Sequence, residues 1–142
     1  MNFKDCLRNG LIKKDPSTKD RVKKSIEIAI RFLESAKKNL EIEEFEMAEI
    51  AAYNSIFHSA RSLLFNNGYI ERSHVCLITA LRFLYNKDQS LLDLLNTFDK
   101  IRISRHNVQY GGSLVNKEEA EFVIDFAKMF LEKTKEIIYP KK

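Results

Sequence analysis

Apolar residues recur along this chain with the spacing of a helix face, not the alternation of a strand. Over residues 18–42, Val22, Ile26, Ala29, Phe32 or Leu33, Ala36 and Leu40 fall on one stripe, while Lys23, Lys24, Arg31, Lys37 and Lys38 lie largely off it. That predicts an amphipathic helix, started by Asp15-Pro16-Ser17-Thr18. Over 44–67 the apolar positions nearly encircle the axis: Phe45, Ile50, Tyr53, Ile56, Phe57, Leu63 and Leu64 leave little polar surface. Such a helix belongs at the centre of a bundle, or serves a dimer interface as well as its own core. Ala51, Ala52, Ser55, Ser59 and Ala60 would let a neighbour approach closely. Asn66-Asn67-Gly68 is a stop signal, with Gly68 suited to the left-handed position after a helix. Ser73 can cap a shorter helix over 74–85. A further helix starts at 91 and ends on Gly111-Gly112. Asn116 can cap the last one, 117–138, which has Glu118, Glu119 and Glu121 early and Lys133 and Lys135 late, the order its dipole prefers. Residues 1–15 form either a loose arm or a short helix over 3–7 closed by Asn9-Gly10. No strand pattern is evident. The expectation is an all-α, up-and-down bundle of four to five helices, one domain spanning residues 1–142.

Composition changes this picture little. Only 4 glycines and 2 prolines punctuate the chain, as suits long helices. The net charge of +4 permits an anionic partner without demanding one, and DNA is not expected. Cys6 and Cys76 have no metal-ligand spacing. No secretory signal is evident, so they are expected to remain reduced thiols. With no apolar run long enough for a membrane span, no membrane is expected and the cytoplasm is the expected location.

The informative positions are polar groups set into apolar stripes. In the segment 91–112, Leu94, Phe98, Ile101, Arg105 and Val108 share one stripe, so an arginine stands where an apolar residue is expected. A guanidinium there is costly unless paired or solvated in a cleft. Arg102, His106 and Gln109 flank it. On the preceding long helix, Asn54, His58 and Arg61 stand at helical spacing and form a polar stripe of their own. They read either as a cleft wall or, for His58, as a satisfied interior histidine. His74 opens its helix, where a neutral, hydrogen-bonding imidazole suits the dipole better than a charged one. Neither a glycine-rich phosphate loop nor a dinucleotide fingerprint is present, and HExxH and CxxC are absent. Neither a metal nor a cofactor is therefore expected. Arginine can hold a phosphate by a forked pair of hydrogen bonds, and histidine or tyrosine can move a proton. The set suits binding of a nucleotide or RNA, or metal-free cleavage at a 2′-hydroxyl. Ion pairing of Arg102 and Arg105 with acidic residues of a neighbouring helix is the alternative.

The run AAYNSIFHSARSLLFNNGY (51–69), then His74, then RHNVQYGG (105–112), resembles the HEPN domain, in particular its small stand-alone archaeal and bacterial members. The resemblance extends over most of the chain. It implies a helical bundle that pairs as a homodimer. In members with ribonuclease activity, an arginine followed after four to six residues by histidine faces its copy across a composite cleft. Here Arg105 matches the arginine, but Tyr110 stands where the histidine is expected, and a phenol is a poor base at neutral pH. Asn54 matches a polar residue that helps line the cleft. An unbroken helix turns the Arg105 and Tyr110 side chains ~140° apart, so sharing a cleft would require unwinding near 108–111 or service of the tyrosine to the partner subunit. The resemblance further implies a minimal nucleotidyltransferase partner in a toxin–antitoxin pair, with Tyr110 a candidate acceptor of AMP. Three functions follow as expectations: a nucleotide- or RNA-binding homodimer, a metal-independent endoribonuclease toxin, or a protein whose cleft mainly receives the nucleotidyltransferase.

Overall fold

The computed structural model describes residues 1–141. Six helices are present among them: α1 (Phe3–Arg8), α2 (Val22–Glu41), α3 (Phe45–Asn66), α4 (His74–Leu84), α5 (Gln89–Tyr110) and α6 (Lys117–Ile138). The predicted caps hold. Ser73 accepts from the Cys76 amide, Asn116 from the Glu119 amide, and Gly68 takes φ 81° just after α3. The arm at the chain start is a true helix, closed at its N-terminus by a reciprocal pair between Asn2 and Asp5.

α3 is the centre, as its all-round apolar surface requires. It packs most extensively against α2 and α6, and also meets α4 and α5. The Ser55 hydroxyl donates to the Ala29 carbonyl at 2.7 Å, so small residues do bring α2 and α3 together. Phe98 of α5 is fully buried, its ring 5.8 Å from that of Tyr53 and 5.7 Å from that of Phe130. The result is the all-α bundle expected.

Three local expectations are corrected. The helix predicted from residue 18 begins at Val22, after a 3-10 turn over Pro16–Arg21. Asp15 caps that turn, and the buried Thr18 hydroxyl reaches both the Asp15 carbonyl (2.8 Å) and the Phe65 carbonyl (3.2 Å). These bonds dock the turn on the end of α3, and that contact overrides the local helical pattern. Two strands also exist: β1 (Ile12–Lys14) and β2 (Tyr69–Glu71) form an antiparallel pair with Ile12 opposite Glu71. Each is only three residues long, too short to leave an alternation in the sequence. Finally, Cys6 and Cys76 are not free thiols. They are joined in a disulfide, with Cα atoms 5.8 Å apart and both side chains fully buried. The absence of metal-ligand spacing gave no hint of this, because the chain between them, a sequence separation of 70, folds away and returns α4 to the side of α1. Phe3 reinforces the junction by stacking on Phe83 at 4.7 Å.

Candidate functional site

On α5, Leu91, Leu95, Phe98 and Ile101 are buried, and from residue 102 to 110 no side chain is. The apolar stripe therefore runs out two turns before the helix does, and Arg105 stands where it ends. Its guanidinium carbon lies 4.4 Å from the centre of the Tyr53 ring, a cation–π contact. One terminal nitrogen donates to Gln109 at 3.0 Å, and Nε is shut off from solvent with no partner. Among the described residues no carboxylate pairs with it. Pairing with an acidic residue of a neighbouring helix, the alternative expectation, is found at neither arginine among the described residues; Arg102 Nε lies 2.9 Å from Asp99, one turn earlier in the same helix.

Arg102, Arg105, His106 and Tyr110 line one open crevice of about 370 Å³, together with His74 of α4. α5 stays helical through Tyr110, so Arg105 and Tyr110 share the crevice without the unwinding that their angular separation suggested. The reach of both side chains spans the gap. Tyr110 is 67% exposed and its ring lies 5.1 Å from that of His106.

His74, which belongs to the family-like run but has no expected ligand or catalytic role there, also lines the crevice. Its Nδ1 lies 2.6 Å from the Tyr53 hydroxyl, and its ring stacks on Phe57 at 4.2 Å. Burial, then the positive charges of Arg105, Arg102 and Arg61, hold its pKa below the ordinary value, so the imidazole is neutral at physiological pH. Burial raises the Tyr53 phenol, against the opposing pull of Arg105. Besides its place in the family-like run, His74 stands at a helix start, where the dipole also disfavours the imidazolium.

Asn54, His58 and Arg61 lie half-buried on α3 and do not line this crevice. Arg61 Nε is 2.8 Å from Glu71 Oε1, and its guanidinium lies 4.9 Å above the Phe65 ring. His58 stacks on Phe32 at 5.6 Å and meets Phe57 edge-on at 5.2 Å. Phe57 thus touches both imidazoles, and a continuous row of rings runs from Phe32 through His58, Phe57, His74 and Tyr53 to Arg105.

His58 carries a stability prediction. Burial first, then Arg61, push its pKa from 6.5 down to about 4. The folded value lies below the unfolded one, so its contribution is complete above pH ~6.5 and is lost as pH falls through about 4. Relative to wild type, His58→Gln should therefore lose about 1–3 kcal/mol less between pH 7 and pH 4 in urea unfolding. Equal losses in the two proteins would rule out a buried neutral imidazole.

No helix among the described residues is long and apolar enough to cross a membrane. Comparison with known proteins agrees with this architecture. The chain is 27% identical over 133 residues, 91% of its own length and 96% of the relative's, to the protein of Methanocaldococcus jannaschii named "Putative toxin MJ0605". The profile of the HEPN domain matches residues 22–137, from the start of α2 almost to the end of α6, and the chain therefore belongs to the HEPN family.

Proposed function

We propose that this protein is a homodimeric HEPN protein of the toxin–antitoxin type that holds the phosphate of a nucleotide or RNA in the crevice around Arg105. The observation that carries the reading is the state of that arginine. It is propped on the Tyr53 ring, hydrogen-bonded to the neutral amide of Gln109, and lines an open crevice in which no described carboxylate pairs with it. A phosphate entering there would gain a charge-assisted fork from Arg105 and further donors from Arg102 and His106. The second copy of the chain would close the crevice. A minimal nucleotidyltransferase is the proposed partner, and Tyr110, whose phenol is exposed at the site, is its proposed acceptor: the phenolic oxygen gives up its proton and attacks the α-phosphorus of ATP, and pyrophosphate leaves.

Titration of short single-stranded RNA by fluorescence anisotropy tests the reading. Arg105→Ala is expected to weaken binding at least ~10-fold while unfolding remains cooperative. Unchanged affinity would remove the proposal.

One observation favours a second reading, a metal-independent endoribonuclease. The neutral His74 lines the same crevice as Arg105. With Nδ1–H donating to the Tyr53 oxygen, Nε2 is free to take the proton of a ribose 2′-hydroxyl. The 2′-oxygen then attacks the adjacent phosphorus, the 5′-oxygen departs, and a 2′,3′-cyclic phosphate and a 5′-hydroxyl end remain. Arg105 would stabilise the charge gathered on phosphorus. Cleavage in EDTA that is lost in His74→Ala distinguishes this reading from binding alone. Intact RNA after prolonged incubation with the free protein sets it aside.

A further inference from the structure

A second concavity, about 590 Å³, runs between α3, α5 and α6, lined by residues distinct from those of the Arg105 crevice. Glu49 of α3 lines it. This residue is 2% exposed, yet its Oε2 is buried with no hydrogen-bond partner, and no basic residue among the described ones pairs with it. A buried carboxyl without a partner is costly, and each such group in a folded core calls for an explanation. The walls indicate what that is. Glu118 and Glu119 of α6 add two further carboxylates, against one cation, Lys100 of α5. Ile101, Phe122 and Val123 supply an apolar strip between the charges, and Phe122 is 58% exposed.

We propose that this groove is a binding site for an aliphatic polyamine, with one ammonium paired to Glu49, the methylene chain laid along Ile101 and Phe122, and a second ammonium toward Glu118 and Glu119. An ammonium supplies the missing donor and the missing charge together, and a flexible methylene chain matches the apolar strip. The Phe122 ring adds a face on which a cation can rest.

The proposal has a pH signature. Burial, then Glu119 and Glu46, raise the Glu49 carboxyl to about 7. Glu46 lies on the same helix, Glu118 and Glu119 face from α6, and Lys100 faces from α5. Amines stay protonated throughout this range, so affinity should follow ionisation of Glu49 and rise about 10-fold from pH 6 to pH 8.

Calorimetric titration of the full chain with spermidine at both pH values tests this. We expect saturable binding at one site that strengthens with pH, and no binding of a neutral aliphatic diol of similar length. Glu49→Gln should cost at least ~10-fold at pH 8 and abolish the pH dependence. Phe122→Ala, a change at an exposed position, should weaken binding severalfold in a protein that unfolds as wild type does. Absence of saturable spermidine binding at either pH, or equal binding by Glu49→Gln, would overturn the proposal.

Discussion

Arg61→Ala should destabilise this protein by about 3 kcal/mol, among the largest effects any single charged residue can have here. Its partner Glu71 is 8% exposed and sits in the short β2 strand, whose pairing with β1 fixes it in place. Burial already lifts the Glu71 carboxyl above its ordinary value, and Arg61 is the main force opposing that rise. Removing the guanidinium leaves a carboxylate in a low-dielectric setting with no compensation. The variant can recover by protonating Glu71, so its deficit should shrink as pH falls. A group raised in the folded state contributes its stability at low pH and loses it as pH rises through the folded value. Urea unfolding at pH 5 and pH 7 checks the sign. The double variant Arg61→Met with Glu71→Gln should regain most of the loss, because a neutral amide needs no counter-charge. A single variant within ~0.5 kcal/mol of wild type would mean that the pair contributes little.

Replacing both cysteines by serine should lower stability by about 2–4 kcal/mol and the melting temperature by roughly 10 °C. The cross-link closes a loop of 70 residues and so removes much of the freedom of the unfolded chain. Both sulfurs are fully buried between α1 and α4, so serine hydroxyls there also lack room for water. Differential scanning calorimetry of the variant and of the wild type unfolded with a reductant present should give a lowered transition in both, the serine variant melting the lower of the two. A variant that melts with the oxidised wild type would show that the bridge adds nothing.

What the sequence made legible was whatever is encoded locally. Ser73, Asn116 and Gly68 punctuate the chain because a cap or a left-handed turn needs only its own neighbours. The central place of α3 could be read from its encircling apolar surface, and the importance of Arg105 from its intrusion into a stripe. Relations between distant elements were hidden. Nothing near Cys6 announces Cys76, and nothing near Tyr53 announces His74, since each pair meets only after the bundle closes. For the same reason Asn54, His58 and Arg61 looked equivalent as a stripe. One of them packs between rings and another faces a buried acid, and only the tertiary structure separates these fates.

The contact between Tyr53 and His74 has a practical consequence. The chain has 5 tyrosines and no tryptophan, so its ultraviolet emission comes from phenols alone. In the tautomer where the phenol donates to Nδ1, the excited ring can pass its proton to the imidazole, and Tyr53 should then be nearly dark. Loss of that contact, in His74→Ala, should therefore raise the emission of the chain, and the change can be read with no dye and no engineered label.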